Sequence, residues 1–176
     1  MATYLPRHAA ATHLVSKYLD YALCANRGYI YTMNTSFNFS GKVALVTSGV
    51  SGIGAAASLS FERSGATVIA CGVTEQEVIA AKSNPDFAGI RSEALNVRDD
   101  DAVKRLIGSL DQLDFVVNSA GIIRRAAEHD PATFAEVIDV NLNGGMRVST
   151  AARPLLAKSK GAIVFDCLHR LGDEFF

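Results

Sequence analysis

Five short strand-like runs, four of them apolar and the third apolar at Ile90, Leu95 and Val97, alternate with stretches of helical character, and no other feature constrains the fold of this chain as much. The runs are Lys42–Thr47 (KVALVT), Thr67–Cys71 (TVIAC), Ile90–Val97, Asp114–Asn118 (DFVVN) and Gly161–Phe165 (GAIVF). Between them the pattern predicts helices over Gly52–Ser64, Glu75–Lys82, Asp99–Leu110 and from Pro131 to about Ala152. In the first helix Ile53, Ala57 and Phe61 fall on one face. The third opens on Asp99, Asp100 and Asp101, which suit the positive end of a helix dipole. The last opens on Pro131, a residue favoured at the first helical position. Strands that are apolar throughout are buried on both faces, so the alternation predicts an α/β fold with a doubly wound parallel sheet. The pattern stops after the fifth run. A sheet truncated after about five strands is expected, with an exposed apolar edge (GAIVF) that favours self-association.

Composition narrows the class further. A chain of 176 residues fits one domain, and 49% hydrophobic residues suffice for a core. The net charge of -1 comes from mixed signs, with no basic stripe for nucleic acid. No run approaches the roughly 18 apolar residues of a membrane span. Cys24, Cys71 and Cys167 match no zinc or Cys-x-x-Cys spacing. Their scattered, odd number favours a reducing, cytoplasmic setting, and Cys71 is expected to be a small core residue. Residues 1–36 hold all five tyrosines and few acids. Three readings stay open for them: a transit-like presequence, an extra ordered element, or translation from too early a start. The last fits best, because Met33 begins a short polar lead (MNTSFNFSGK) straight into the first strand.

The turn after that strand reads Thr47-Ser48-Gly49-Val50-Ser51-Gly52-Ile53-Gly54 and passes at once into a helix. Glycines there let the backbone approach a pyrophosphate, and the helix N-terminus offers it free N–H groups and a positive dipole. Gly54 would let the helix pack close to the strand. A glycine string alone is weak evidence, but a buried strand before it and a helix after it supply the context of a Rossmann dinucleotide site.

With these residues the sequence resembles the short-chain dehydrogenase/reductase family, in its N-terminal, cofactor-binding portion. The family fingerprint is T-G-x-x-x-G-x-G. Thr47, Gly52 and Gly54 match it, and Ser48 stands at the first glycine, beside Gly49. If that position requires φ > 0, serine costs about 1 kcal/mol there. Asn118-Ser119-Ala120-Gly121 looks like the family's N-N-A-G, and Asn96-Val97 like its Asp-Val near the adenine. Asn141, in VIDVNLNGG, is similar to the asparagine of the catalytic tetrad. The likeness covers roughly residues 37–165. It implies an NAD(P)-dependent oxidoreductase that moves hydride between nicotinamide and a small alcohol or carbonyl substrate, in relatives that form homo-oligomers. Without the resemblance, Asn141 reads more plainly. Phe134, Ile138 and Asn141 share a helical face by their spacing, that face is predicted to look onto the sheet, and a buried amide there needs a partner.

The nicotinamide is decided by little. An acid at the end of the second strand would bond the ribose 2′-hydroxyl and repel a 2′-phosphate. Gly72 occupies that place, and no carboxylate follows until Glu75. Ser51 replaces the basic residue that many NADP forms carry in the loop, and Thr74 could bond a phosphate weakly. The balance leans slightly to NADP over NAD.

The resemblance also implies residues that this chain lacks. The family's acid–base pair is a tyrosine four residues before a lysine, with a serine just after the fifth strand. Tyr4, Tyr18, Tyr21, Tyr29 and Tyr31 all precede the glycine loop, and none has that lysine. After the fifth strand stands Asp166-Cys167-Leu168-His169. Of the tetrad only Asn141 remains, so the chain is expected to be catalytically incomplete. The alternatives are a non-catalytic NAD(P)-binding module and the product of a disrupted gene. Residues 166–176 read as an aberrant tail, in which His169 is a solvated histidine. A one-base shift inside the Asp166 codon could restore Thr-Ala-Ser-Ile-Ala, a serine-containing segment of the expected kind. Arg124 and Arg125 read as a solvated pair, or as a greeting for an anionic substrate.

Overall fold

The computed structural model describes residues 37–127 and 129–166. The expectations for 1–36 and 167–176, with Cys24, Cys167 and His169, lie outside the described residues. The elements in order are β1 (Val43–Thr47), α1 (Gly52–Arg63), β2 (Thr67–Gly72), α2 (Glu75–Lys82), a 3-10 turn (Pro85–Phe87), β3 (Arg91–Ala94), α3 (Asp100–Gly108), β4 (Phe115–Asn118), α4 (Pro131–Ile138), a π-helical turn (Asp139–Gly144), α5 (Gly145–Ser159) and β5 (Ala162–Phe165). All four strand pairings are parallel, in the order β3-β2-β1-β4-β5.

Alternation along the strands feeds two cores. Ala44, Val46, Val68, Ala70 and Val117 face one side, where Ala57 and Phe61 of α1 and Ala81 of α2 cover them. Leu45, Ile69, Cys71 and Val116 face the other, under Val103 and Ile107 of α3 and Val148, Ala152 and Leu156 of α5. Helices on both faces make the sheet doubly wound. Cys71 is 1% exposed, and burial pushes its thiol up to about 12.

Local chemistry sets the helix starts. Thr74, Asp99 and Asp130 each accept a backbone N–H from the first turn of their helix, closing donors a helix cannot satisfy itself. The lead into β1 is less polar than it reads. Phe39 is buried, with its ring 5.4 Å from Phe61 and 5.1 Å from Phe115, and Phe37 stacks on it at 6.0 Å.

Two expectations about the long helix fail. It does not end near Ala152 but runs on to Ser159 through Pro154. The residue four back, Thr150, is exposed, so water can satisfy the carbonyl that Pro154 leaves without a donor. Nor does the stripe of Phe134, Ile138 and Asn141 look onto the sheet: Phe134 is 55% exposed and α4 has no buried residue. The π-helical turn, with its wider i→i+5 spacing, breaks the register, and α5 presents Val148, Ala152 and Leu156 to the core instead.

At the amino end of the sheet, Asp114 ties β4 to β1. Its carboxylate is 2% exposed and accepts from Lys42 Nζ at 2.7 Å, Val43 N–H at 3.0 Å and Gln112 Nε2 at 2.6 Å. Burial works to raise its pKa, but the hydrogen bonds from Lys42, Gln112 and Val43 outweigh burial and hold the carboxyl below its ordinary value. A depressed folded-state pKa gives stability that is complete above the unfolded value, about 3.9, and is lost as pH falls through the folded one. Urea midpoints followed down from pH 6 should therefore drop in the acid range. Asp114→Asn should flatten part of that slope; an unchanged slope would remove Asp114 from the account.

Candidate functional site

β1 lies between β2 and β4, so the order of strands reverses there. In open α/β sheets the crevice outside the carboxyl ends of the strands at such a point is where ligands bind. The turn from Ser48 to Gly54 leaves β1 at this point. Ser48 has φ 51°, the left-handed value that a side chain resists, and Gly52 has φ 54°. Gly49 donates its N–H to the Cys71 carbonyl at 2.8 Å and accepts from Ser58 Oγ at 2.9 Å, which stitches the turn between β2 and α1. The close approach expected of Gly54 is real, but it is to the turn rather than to the strand. A Cβ there would stand 2.2 Å from the Ser48 carbonyl oxygen. Ser51 caps α1 in an extended conformation without a side-chain hydrogen bond. The first-turn amides of α1 therefore receive no side-chain acceptor from their cap.

Thr47 joins the end of β1 to the loop after β4. Its Oγ1 accepts from Ser119 N–H at 3.0 Å and Ala120 N–H at 3.1 Å. Beside this junction a cavity of about 240 Å³ opens, bordered by Thr47, Asn118, Gly121, Asn141 and Asp166 among others. Asn118 is 5% exposed. Its Nδ2 donates to Ser149 Oγ at 3.2 Å, while its Oδ1 is buried with no hydrogen-bond partner among the described residues. Asp166 accepts from Ser119 Oγ at 2.8 Å through one oxygen, and the other is likewise buried without a partner among the described residues. Both residues border the cavity, although these two oxygens are themselves enclosed.

Asn141 sits in the π-helical turn and clamps the backbone of Ile122, accepting its N–H at 2.8 Å and donating to its carbonyl at 3.0 Å. The amide has the backbone partner that the plain reading asks for, on an exposed residue instead of a buried one. A charged set holds the turn. Asp139 accepts from Arg147 Nη2 at 2.7 Å and from Arg98 Nε at 3.1 Å. Bonds from Arg147, Arg98 and Asn143 keep its carboxyl below the usual range.

The remaining sequence candidates divide. Gly72 and Thr74 stand at the carboxyl end of β2, and Asn96 and Val97 follow β3. Asn96 spends its Oδ1 on the Arg98 N–H at 3.0 Å, and the Val97 side chain lies in the core against Gly144. Thr74 caps α2, and Ile53 is half-buried in the first turn of α1. Arg124 pairs with Glu136 at 3.3 Å rather than standing free.

Sequence reasoning missed Ser149, Asp166 and Glu77. Ser149 and Asp166 meet their partners 31 and 47 residues away, and no local pattern announces such contacts. Glu77 did carry a signal, since Thr74-x-x-Glu77 has the spacing of a capping box. Its Oε2 accepts from the Val73 N–H at 2.8 Å.

Comparison with known proteins matches residues 42–167 to the family described as short chain dehydrogenase. Among similar proteins, 3-oxoacyl-[acyl-carrier-protein] reductase of Thermotoga maritima is 36% identical over 136 residues, covering 70% of this chain and 54% of its own length. A 3beta-hydroxysteroid dehydrogenase of Mediterraneibacter gnavus is 35% identical, covering 72% and 49%. The peroxisomal hydratase-dehydrogenase-epimerase of Neurospora crassa is also 35% identical, and the match takes up 14% of it. This chain thus spans about half or less of the length of these relatives. The solved structure of 2-keto-3-deoxy-D-gluconate dehydrogenase from Streptococcus agalactiae superposes with a TM-score of 0.66 at 32% identity, over 80% of this chain and 57% of that one.

Proposed function

The chain belongs to the short-chain dehydrogenase family, an oxidoreductase by descent, and from that premise we propose that its crevice binds a nicotinamide dinucleotide, NADP or NAD. One observation carries the reading: the glycine turn seats the N-terminus of α1 at the point where the strand order reverses. The residues fit such a ligand. The first-turn amides of α1 suit an anionic pyrophosphate, and Gly52 leaves open space where a Cβ would be. When bound, the nicotinamide supplies the hydride that such enzymes exchange with an alcohol or carbonyl.

The chain's own residues bind and orient. Thr47 fixes the loop from Asn118 to Gly121 against β1. Asn141 fixes the backbone just beyond that loop, at Ile122. Within these 176 residues no tyrosine stands four before a lysine. Proton transfer in the family's manner has to come from outside them, and this polypeptide alone should bind cofactor without turnover.

The chain has no tryptophan, so titration is read from the emission of NADH and of NADPH themselves. Saturable binding of at least one, with no NAD(P)-dependent turnover, is the expected outcome. Ser48→Gly should raise the urea midpoint, by releasing about 1 kcal/mol of left-handed strain that the folded chain carries without ligand. Folded protein that gives no saturable change with either nucleotide would overturn the reading.

A further inference from the structure

We propose that Glu77 selects the nicotinamide in this chain, favouring NAD(H) by excluding a 2′-phosphate. The inference rests on the dinucleotide reading above and runs against the lean to NADP that Gly72 suggests.

Gly72 leaves the end of β2 without a side chain, but the space is not empty. A Cβ built on Gly72 would lie 3.1 Å from Glu77 Oε2, 3.0 Å from Glu77 Cβ and 2.9 Å from Val50 Cγ2 of the glycine turn. An aspartate at position 72 would carry its carboxylate oxygens about 2.4 Å from its own Cβ, by standard bond lengths. Glu77 therefore brings a carboxylate oxygen from α2 to within about an ångström of the distance at which an acid on β2 would hold its own. One hydrogen bond holds that oxygen, and a second caps the start of the helix that carries it. Val73 N–H donates to Oε2 at 2.8 Å, and Glu77 N–H donates to Thr74 Oγ1 at 3.2 Å. The second oxygen, Oε1, has no hydrogen-bond partner among the described residues. No ion pair neutralises the carboxylate among them either.

An acid at the end of the second strand bonds the ribose 2′-hydroxyl and repels a phosphate on it. Oε1 is the free acceptor for such a hydroxyl, and the net negative charge opposes the phosphate. The strand position therefore misleads: a carboxylate reaches the space beside Gly72 from the following helix.

The test is a pair of titrations, NADH and NADPH, on the whole chain and two variants. Glu77→Gln keeps an oxygen that can accept from Val73 N–H, so the cap survives and only the charge is lost. Wild type should bind NADH about tenfold or more tightly over NADPH at low salt, the scale of like charges held a few ångströms apart near a surface. That ratio should shrink as ionic strength rises. Glu77→Gln should bring it close to one by improving NADPH binding, and Glu77→Lys should invert it. Wild type that binds NADPH as well as NADH, or a ratio that Glu77→Gln and Glu77→Lys both leave unchanged, would overturn the role of Glu77 and leave the dinucleotide reading standing. Absence of binding to either nucleotide would overturn both.

Discussion

Gly54→Ala should weaken dinucleotide binding about five- to 150-fold while leaving a folded chain. The methyl would stand 2.2 Å from the Ser48 carbonyl oxygen, 2.8 Å from the Ser48 carbonyl carbon and 3.2 Å from Gly49 Cα. All three are backbone atoms, so no rotamer change can make room. Either α1 shifts outward or the turn opens, and both move the first-turn amides off the crevice. Overpacking of this kind costs about 1–3 kcal/mol. Taken from binding, it corresponds to about a five- to 150-fold loss. Titration with NADH and NADPH, alongside circular dichroism on the same samples, measures the two effects separately. Gly108→Ala at the end of α3 is the control, because nothing lies within 4 Å of its would-be Cβ. It should leave binding intact. Equal affinity in Gly54→Ala and wild type would mean that the ligand does not use the start of α1.

The largest stability loss is expected from Phe61→Ala. Phe61 is 1% exposed, its ring 5.4 Å from both Phe39 and Phe115, so the lost side chain would open a cavity bounded by α1, β4 and the lead into β1. Buried phenylalanine truncations cost about 3–5 kcal/mol, a large share of the roughly 5–15 kcal/mol that holds a domain together. Urea unfolding should show the midpoint fall sharply. Phe134→Ala is the contrast. Its ring is 55% exposed on α4, and its removal should stay within about 0.5 kcal/mol. A large loss at Phe134 would reinstate the apolar stripe that its spacing suggests.

That contrast marks where sequence was informative. Four of the strands could be read because each is a largely apolar run, and the glycine turn because it sits between a strand and a helix. The third strand shrank to Arg91–Ala94, yet Ile90, Leu95 and Val97 remain buried beside it. Periodicity failed over 131–159 because it assumes a constant 3.6-residue turn. The π-helical turn at Asp139–Gly144 rotates α5 relative to α4, so the face read from Phe134 does not continue into α5. In the site, Thr47, Gly54 and Asn118–Gly121 were legible from a motif. The hydrogen-bond partners of Asn118 and Asp166 were not, since they come from distant segments. Glu77 was overlooked for a different reason. The acid was sought on the strand, while the side chain that fills the space above Gly72 starts five residues later.

The bond between Lys42 and Asp114 spans 72 positions of sequence, and that span has a consequence for synthesis. β1 is central in the sheet but is made first, and its β4 partner emerges about 70 residues later. At about 5–20 residues per second, a nascent β1 waits about 4–14 s with one neighbour, β2, and an open flank. The residues at risk are Ala44, Leu45 and Val46, fully enclosed once the sheet is complete. Closing so long a loop is entropically unfavourable and slow compared with local pairing. The hazard for this topology therefore lies in the ribosome-bound chain before Asp114 emerges, and a chaperone that shields a single apolar strand would act on it there.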